Sequence, residues 1–234
     1  TSPILEYGPD ATFAFKIFDE AGTQEFMKKI ELEPRKFITM TIRTGRSGQG
    51  FLEPGGEREL DHAAKLRELI IKYVENTGNK VLICPEVILE IEPARELIFE
   101  PLPEKIKQNV RFLDQFWLPD IAYTVYSKAE ALVTMEAHSM IMGLSVGTPV
   151  LHPRFLEAGR KAFMLNDLGV GEWLFDIDED TVEPMFKELM EIHNNYDAAL
   201  AKVKSALDIV QKRQKETMTI LRRTLIEAVN KKQD

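Results

Sequence analysis

A carboxylate, an imidazole and a hydroxyl lie close together along the chain at Glu136, His138 and Ser139. Histidine can give or take a proton near neutral pH, and a carboxylate can act as a base or hold a hydroxyl. The packing of a sheet requires none of the three. We therefore predict Glu136 and His138 as catalytic residues and Ser139 as a substrate-binding residue. Two structural alternatives stay open, in which His138 caps a helix and Glu136 stabilises the start of that helix.

The segments around these residues alternate between strand and helix patterns. An apolar run at 130–133 precedes the polar residues, an apolar helical pattern at 140–146 follows them, and a Gly-Thr-Pro sequence leads to a second apolar run at 150–151. The polar residues thus lie between the carboxyl end of a strand and the amino end of a helix. Ligands of open α/β sheets bind there, and the free amide groups of a helix start favour an anion.

Three polar loops follow predicted strands, at 43–50, 134–139 and 152–161. Loops that follow parallel strands lie along one edge of a sheet, so these three should open on one cleft. They are basic, although the whole chain is acidic, and this difference indicates an anionic ligand such as a phosphate or a carboxylate. The predicted substrate-binding residues are Arg43, Arg46, Ser139, Arg160 and Lys161. Arg43 and Arg46 could alternatively form surface ion pairs, and His152 is expected to be an ordinary loop residue.

The composition excludes several classes of protein. The chain has 234 residues and a net charge of −8, which disfavours nucleic acid as a partner. Its single cysteine, Cys84, ends an apolar run and is expected to be buried, which fits a reducing, cytoplasmic environment. We find no pattern for a transmembrane segment, a metal site or a cofactor.

The alternation of strands and helices predicts the α/β class, with a Rossmann-like parallel sheet flanked by helices. The strands at 37–42, 80–84 and 130–133 should be neighbours or near neighbours. We expect an α/β lobe over residues 1–193. Residues 194–234 should form a long amphipathic carboxyl-terminal helix, or two shorter ones, packed on the lobe or on a partner. His62 and His193 lie on amphipathic helices and are expected at the surface.

Several motifs make the chain resemble the polysaccharide pyruvyl transferase family, over roughly residues 8–175. The resemblance begins at Gly8-Pro9-Asp10 and includes FITMTIRTG, VTMEAHSMIMGLSVGTPVLH and KAFMLNDLGVGEWLF. The second of these is the most specific, because a strand, a histidine at a helix start and a G-T-P turn follow in order. In the family this arrangement belongs to the second half of a glycosyltransferase-B-like fold. The resemblance therefore implies a carboxyl-terminal lobe, with a missing amino-terminal lobe or a homo-oligomer as expectations.

The resemblance implies transfer of a pyruvyl group from phosphoenolpyruvate to two hydroxyls of a sugar, in the synthesis of a cell-surface polysaccharide. It implies that His138 acts as an acid or holds the donor phosphate, and that Arg43 binds the anion. Many members have an arginine two residues before the histidine, where this chain has Glu136. A carboxylate there could hold sugar hydroxyls, which favours a glycosyltransferase or sugar-nucleotide epimerase on the same fold. A non-catalytic lobe that binds a sugar or a partner protein is the third reading.

Overall fold

Six parallel strands form one sheet in the computed structural model, which describes residues 7–47 and 52–230. The strands are β1 (Phe37–Thr41), β2 (Lys80–Ile83), β3 (Val110–Phe112), β4 (Ala131–Thr134), β5 (Val150–Arg154) and β6 (Leu174–Asp176). They lie in the order β3-β2-β1-β4-β5-β6. The predicted Rossmann-like parallel sheet is confirmed. The predicted neighbours are confirmed too, because β1 pairs with β2 on one side and with β4 on the other.

Helices cover both faces of this sheet. They are α1 (Glu20–Lys29), α2 (Glu57–Thr77), α3 (Ile91–Ala94), α4 (Glu104–Lys107), α5 (Pro119–Lys128), α6 (Ala137–Ser145), α7 (Met164–Asp167), α8 (Val182–Asn194) and α9 (Tyr196–Asn230). Strands that are covered on both faces are apolar along their whole length, and every residue of β1 and β4 is buried. The same property makes their ends easy to recognise in the sequence.

The helix that follows β1 shows how local sequence sets an element boundary. Leu66, Leu69, Ile70 and Tyr73 form the buried stripe of α2. Gly78 ends the helix with φ of 67°, a left-handed conformation that glycine adopts without a steric penalty. The chain can then turn directly into β2.

The carboxyl-terminal helix α9 is continuous over 35 residues, so the prediction of one long helix is correct and that of two is not. Its first half packs on the lobe through Val203 and Val210, which are buried. Its second half exposes Leu221 and Leu225. The division of the chain at residue 193 stays a prediction. Among the helices in the described part of the chain, none combines the length and apolar character that a membrane span requires.

Three expectations from the sequence need correction. β5 extends to Arg154, so His152 is a buried strand residue and the loop begins after that strand. The reason is β6, which pairs with this extension in the register His152 to Leu174. His62 is buried against Asp178, with its Nε2 atom 2.7 Å from Oδ1. His193 is only partly exposed and contacts Glu130. Residues 48–50 of the first predicted loop lie outside the described residues.

Candidate active site

The strand order places a crevice between β1 and β4. On one side of β1 the sheet continues with β2 and then β3. On the other side it continues with β4, β5 and β6. The connecting segments therefore diverge at this point, which is where open α/β sheets bind ligands. Arg43 follows the end of β1 and Glu136 follows the end of β4. The strands thus bring together two predicted site residues that are 93 positions apart.

Arg43 donates close hydrogen bonds to Glu136 across the crevice. Nη1 of Arg43 lies 2.6 Å from one carboxylate oxygen of Glu136 and 2.7 Å from the other. Only 14% of the Arg43 side chain and 6% of the Glu136 side chain are exposed. Phe155 flanks the guanidinium, with its ring centre 6.0 Å from the central carbon of Arg43. Arg43 is therefore a cation held in place, with little of its side chain exposed.

Two further carboxylates lie near Glu136, on the segment that follows β2. Burial, followed by the charges of Glu90 and Glu86, raises the pKa of Glu136 to about 9, against the opposing effect of Arg43. Glu90 is also buried and is hydrogen-bonded to Glu136. A carboxyl group that retains its proton at neutral pH can donate that proton to a substrate.

Glu86 was not identified from the sequence, yet it organises the start of α6. Its Oε2 atom accepts hydrogen bonds from the amide and the hydroxyl of Ser139, both at 2.7 Å. This carboxylate caps the helix from a different strand connection, 53 positions away in the chain. Ser139 is buried and its polar groups are thus engaged by Glu86. Because the sequence distance is large, no local pattern indicates this contact.

His138 lies in the first turn of α6 with 62% of its side chain exposed. Its Nδ1 atom is 3.5 Å from Oε1 of Glu86. The hydrogen bond with Glu86 raises the pKa of His138 against the effect of partial burial. Burial opposes ionisation of Glu86, but the hydrogen bonds from His138 and Ser139 outweigh it and lower the pKa of Glu86. Each group thus favours the charged form of the other.

A cavity of about 90 Å³ lies at this edge of the sheet. The side chains that line it include Arg43, Glu136, His152, Phe155 and Lys161. Lys161 is exposed and has no ion-pair partner among residues 7–47 and 52–230. A larger cavity of about 590 Å³ shares Lys161 and is also lined by Arg160, Tyr7 and Asp10. The predicted basic residues Arg43, Arg160 and Lys161 therefore lie along one continuous region.

The other predicted binding residues are placed differently. Arg46 is exposed and paired with Glu96 at 3.1 Å, and it is not among the described residues that line either cavity. Arg160 pairs with Asp167 at 2.9 Å. A cavity of about 990 Å³ lies elsewhere, near the amino ends of the strands, and is lined by residues such as Leu32, Lys80 and Lys128. None of the predicted site residues is among its described lining residues.

Solved structures with the same fold are glycosyltransferases and epimerases. UDP-GlcNAc 2-epimerase from Methanocaldococcus jannaschii matches with a TM-score of 0.53 and 11% identity, over 73% of this chain and 42% of that one. ADP-heptose lipopolysaccharide heptosyltransferase II from E. coli matches with a TM-score of 0.53 and 13% identity, over 76% of this chain and 53% of that one. A glycotransferase of kitacinnamycin matches with a TM-score of 0.50 and 14% identity, over 77% of this chain and 40% of that one. These likenesses show a glycosyltransferase-B-like fold.

The extent and specificity of the matches differ. The chain spans between 40% and 53% of the length of these three structures. A comparison with curated proteins finds no match. The family model for polysaccharide pyruvyl transferase matches residues 6–152, which include β1 to β4, helix α6 and the start of β5. Because that match covers more than half of the sequence, the chain belongs to the polysaccharide pyruvyl transferase family.

Proposed function

We propose that the protein takes part in transfer of a pyruvyl group from phosphoenolpyruvate to two hydroxyls of a sugar in a cell-surface glycan. The single observation that carries this proposal is the family match over residues 6–152, which contains Arg43, Glu136 and His138. The match ends at His152, so the cavity-lining residues of β5 belong to it as well. We place the reaction in the cytoplasm, where the single buried thiol of Cys84 would remain reduced.

The donor carries a phosphate and a carboxylate, and this region of the chain offers cations for both. Arg43 is mostly covered, with 14% of its side chain exposed, and it donates to both carboxyl oxygens of Glu136. Lys161 is exposed on the neighbouring loop and joins the small cavity to the one lined by Arg160. We infer that Lys161 and Arg160 hold the phosphate while Arg43 faces the carboxylate. Cations fixed before the ligand arrives stabilise the charge that moves to phosphate during the reaction.

Ketal formation also requires proton transfer. The methylene carbon of the donor gains a proton and becomes a methyl group, two carbon–oxygen bonds form to the sugar, and the bond to phosphate breaks. The two sugar hydroxyls lose two protons, one of which balances the methyl group while the other leaves with phosphate. We assign the proton donor to His138, whose pKa is raised by the hydrogen bond with Glu86. Glu136, which is protonated at neutral pH, can donate its proton and then take one back from a sugar hydroxyl, with Glu90 as its hydrogen-bonded neighbour.

A second candidate is a sugar-nucleotide glycosyltransferase or epimerase. The observation that favours it is Glu136, which places a carboxylate in the crevice and engages Arg43 in an ion pair. The solved structure of the M. jannaschii epimerase was determined in complex with UDP-GlcNAc and UDP. A carboxyl group in this position would suit a ligand that offers sugar hydroxyls better than a ligand that is an anion. The third reading is a lobe that binds a sugar without catalysis.

Titration calorimetry separates these candidates. Phosphoenolpyruvate, UDP and GDP are titrated separately into the wild-type chain and into an Arg43→Ala variant. If the pyruvyl proposal is correct, phosphoenolpyruvate should bind the wild-type chain with measurable heat. Its affinity for Arg43→Ala should be at least tenfold lower. Lys105→Ala is the matched control, since Lys105 pairs with Glu75 on the surface. Binding of UDP or GDP without binding of phosphoenolpyruvate would reject the pyruvyl donor, and binding of none of the three would favour the non-catalytic lobe.

A further inference from the structure

His152 has one ring nitrogen with a partner and one without. It lies in β5 and is 1% exposed. Its Nδ1 atom is 2.6 Å from the carbonyl oxygen of Thr134, at the end of β4. A carbonyl oxygen only accepts, so Nδ1 must carry the proton and Nε2 must carry a lone pair. Burial lowers the pKa of His152 to about 4, so the ring is neutral at pH 7.

The Nε2 atom of His152 is buried and has no hydrogen-bond partner among the described residues. A buried polar group without a partner destabilises the fold, and folded proteins rarely retain one without a reason. The other end of the ring is fixed by Thr134, and the ring itself lines the cavity of about 90 Å³. The missing partner is therefore best supplied by a molecule that enters this cavity.

The chemistry of the cavity restricts what that molecule can be. Arg43 and Lys161 line the same cavity and attract an anion. A fully ionised phosphate or carboxylate has no hydrogen to offer, so it cannot satisfy the lone pair of Nε2. A hydroxyl group can do so.

We propose that Nε2 of His152 accepts a hydrogen bond from a hydroxyl of the acceptor sugar, next to the cations that hold the anionic donor. This inference rests on the proposed function and extends it to the second substrate. Fixing the hydroxyl hydrogen on His152 directs a lone pair of the hydroxyl oxygen toward the donor. His152 is thus a substrate-binding residue that selects for a hydroxyl in this position, and the neutral ring does not repel the cations Arg43 and Lys161.

Two variants separate this role from a structural one. His152→Asn retains a side-chain N–H group that can replace Nδ1 in the bond to Thr134, but it has no acceptor where Nε2 was. His152→Gln reaches further and can place its carbonyl oxygen near the former Nε2. Methyl β-D-galactopyranoside and methyl β-D-glucopyranoside serve as acceptor probes in the presence of saturating sulfate, an anion that cannot donate a hydrogen bond at pH 7. We expect binding of the better probe to weaken about five- to tenfold in His152→Asn and to recover in part in His152→Gln.

A nitrogen-15 NMR titration provides a readout that does not depend on the variants folding. The signal of the unprotonated Nε2 of His152 should move when either hexoside is added to the wild-type chain. It should not move with sulfate alone, which carries no hydrogen at pH 7, nor with the fully O-methylated hexosides, which have no hydroxyl to donate. A stationary Nε2 signal with both hexosides, or unchanged hexoside binding by folded His152→Asn, would overturn the role of His152. Failure of the pyruvyl proposal would be seen separately, as absence of heat with phosphoenolpyruvate.

Discussion

Arg43 binds both carboxylate oxygens of Glu136 through a single nitrogen, at 2.6 Å and 2.7 Å. This pair joins the ends of two adjacent central strands at the point where the strand order reverses. Many members of the family have an arginine two residues before the histidine, where this chain has Glu136. Here the guanidinium of Arg43 and the carboxyl group of Glu136 form one hydrogen-bonded unit, so a change at either residue removes the partner of the other.

The raised pKa of Glu136 predicts how stability depends on pH. A folded-state pKa of about 9 exceeds the ordinary value of 4.5, so the folded protein binds this proton more tightly than the unfolded chain does. The resulting stabilisation is complete below about pH 4.5 and is lost as pH rises toward 9. We expect wild type to lose stability relative to Glu136→Gln over this range. Urea unfolding at several pH values measures the difference, with the exposed Glu104→Gln as control. Parallel curves for wild type and Glu136→Gln would contradict the prediction.

The pair of His138 and Glu86 predicts a second pH effect. Since the hydrogen bond with Glu86 raises the pKa of His138, its contribution to stability is present below the unfolded value and lost as pH rises through the folded value. Glu86→Gln keeps an oxygen that can accept from Ser139 but removes the charge. We expect the pKa of His138 to fall in this variant, measured by NMR titration of the imidazole. In a transferase assay the alkaline limb of activity should move to lower pH. An unchanged His138 titration would exclude Glu86 as the cause.

Kinetic effects should differ between the proton donor and the anion-binding residue. His138→Ala should lower turnover by about 10²–10⁴-fold, the usual range for a positioned acid or base. Arg43→Ala should chiefly raise the KM for the donor, because its cation contacts the donor in the ground state as well as in the transition state. Steady-state kinetics with phosphate release as the signal measures both, with Lys105→Ala as control. Full turnover of His138→Ala would remove this histidine from the mechanism.

The close packing of α6 on the sheet predicts a specific stability defect. A methyl group built on Gly143 would lie 2.6 Å from Cδ2 of Leu132 and 2.8 Å from Cγ2 of Val150. Both neighbours are buried in the core, so they have little room to move. Gly143→Ala should therefore cost about 1–3 kcal/mol by overpacking. Denaturant unfolding measures the loss. Gly8→Ala is the control, since its added methyl would meet only Thr217 at 3.9 Å, and equal stabilities of the two variants would contradict the prediction.

The two halves of α9 should respond differently to substitution. Val203 is buried against the lobe, so Val203→Ala should cost about 2 kcal/mol from lost burial of its methyl groups. Leu225 is 57% exposed, so Leu225→Ser should change stability by less than about 0.5 kcal/mol. Thermal unfolding of both variants provides the comparison. A large loss in Leu225→Ser would mean that this half of the helix is covered in solution.

The sequence alone was sufficient to predict the positions of the main strands and the class of fold. Apolar runs such as that of β1 and stop signals such as Gly78 are local, so they can be identified without knowing what packs against them. Local signals also predicted that Arg43 and Glu136 follow strands and that His138 begins a helix, all at one edge of the sheet. The roles of these residues stay predictions, although Arg43 and Glu136 do line one cavity.

Only the tertiary structure decided which of these groups contact each other. Glu86 reaches Ser139 across 53 positions and Arg43 reaches Glu136 across 93, and the pairing of strands determines both contacts. His152 was expected in a loop because its own strand pattern is short, yet pairing with β6 extends that strand. Its neutral state and its free nitrogen follow from burial beside Thr134. The sequence determines which chemical groups are present, whereas strand order and burial determine their partners and their protonation.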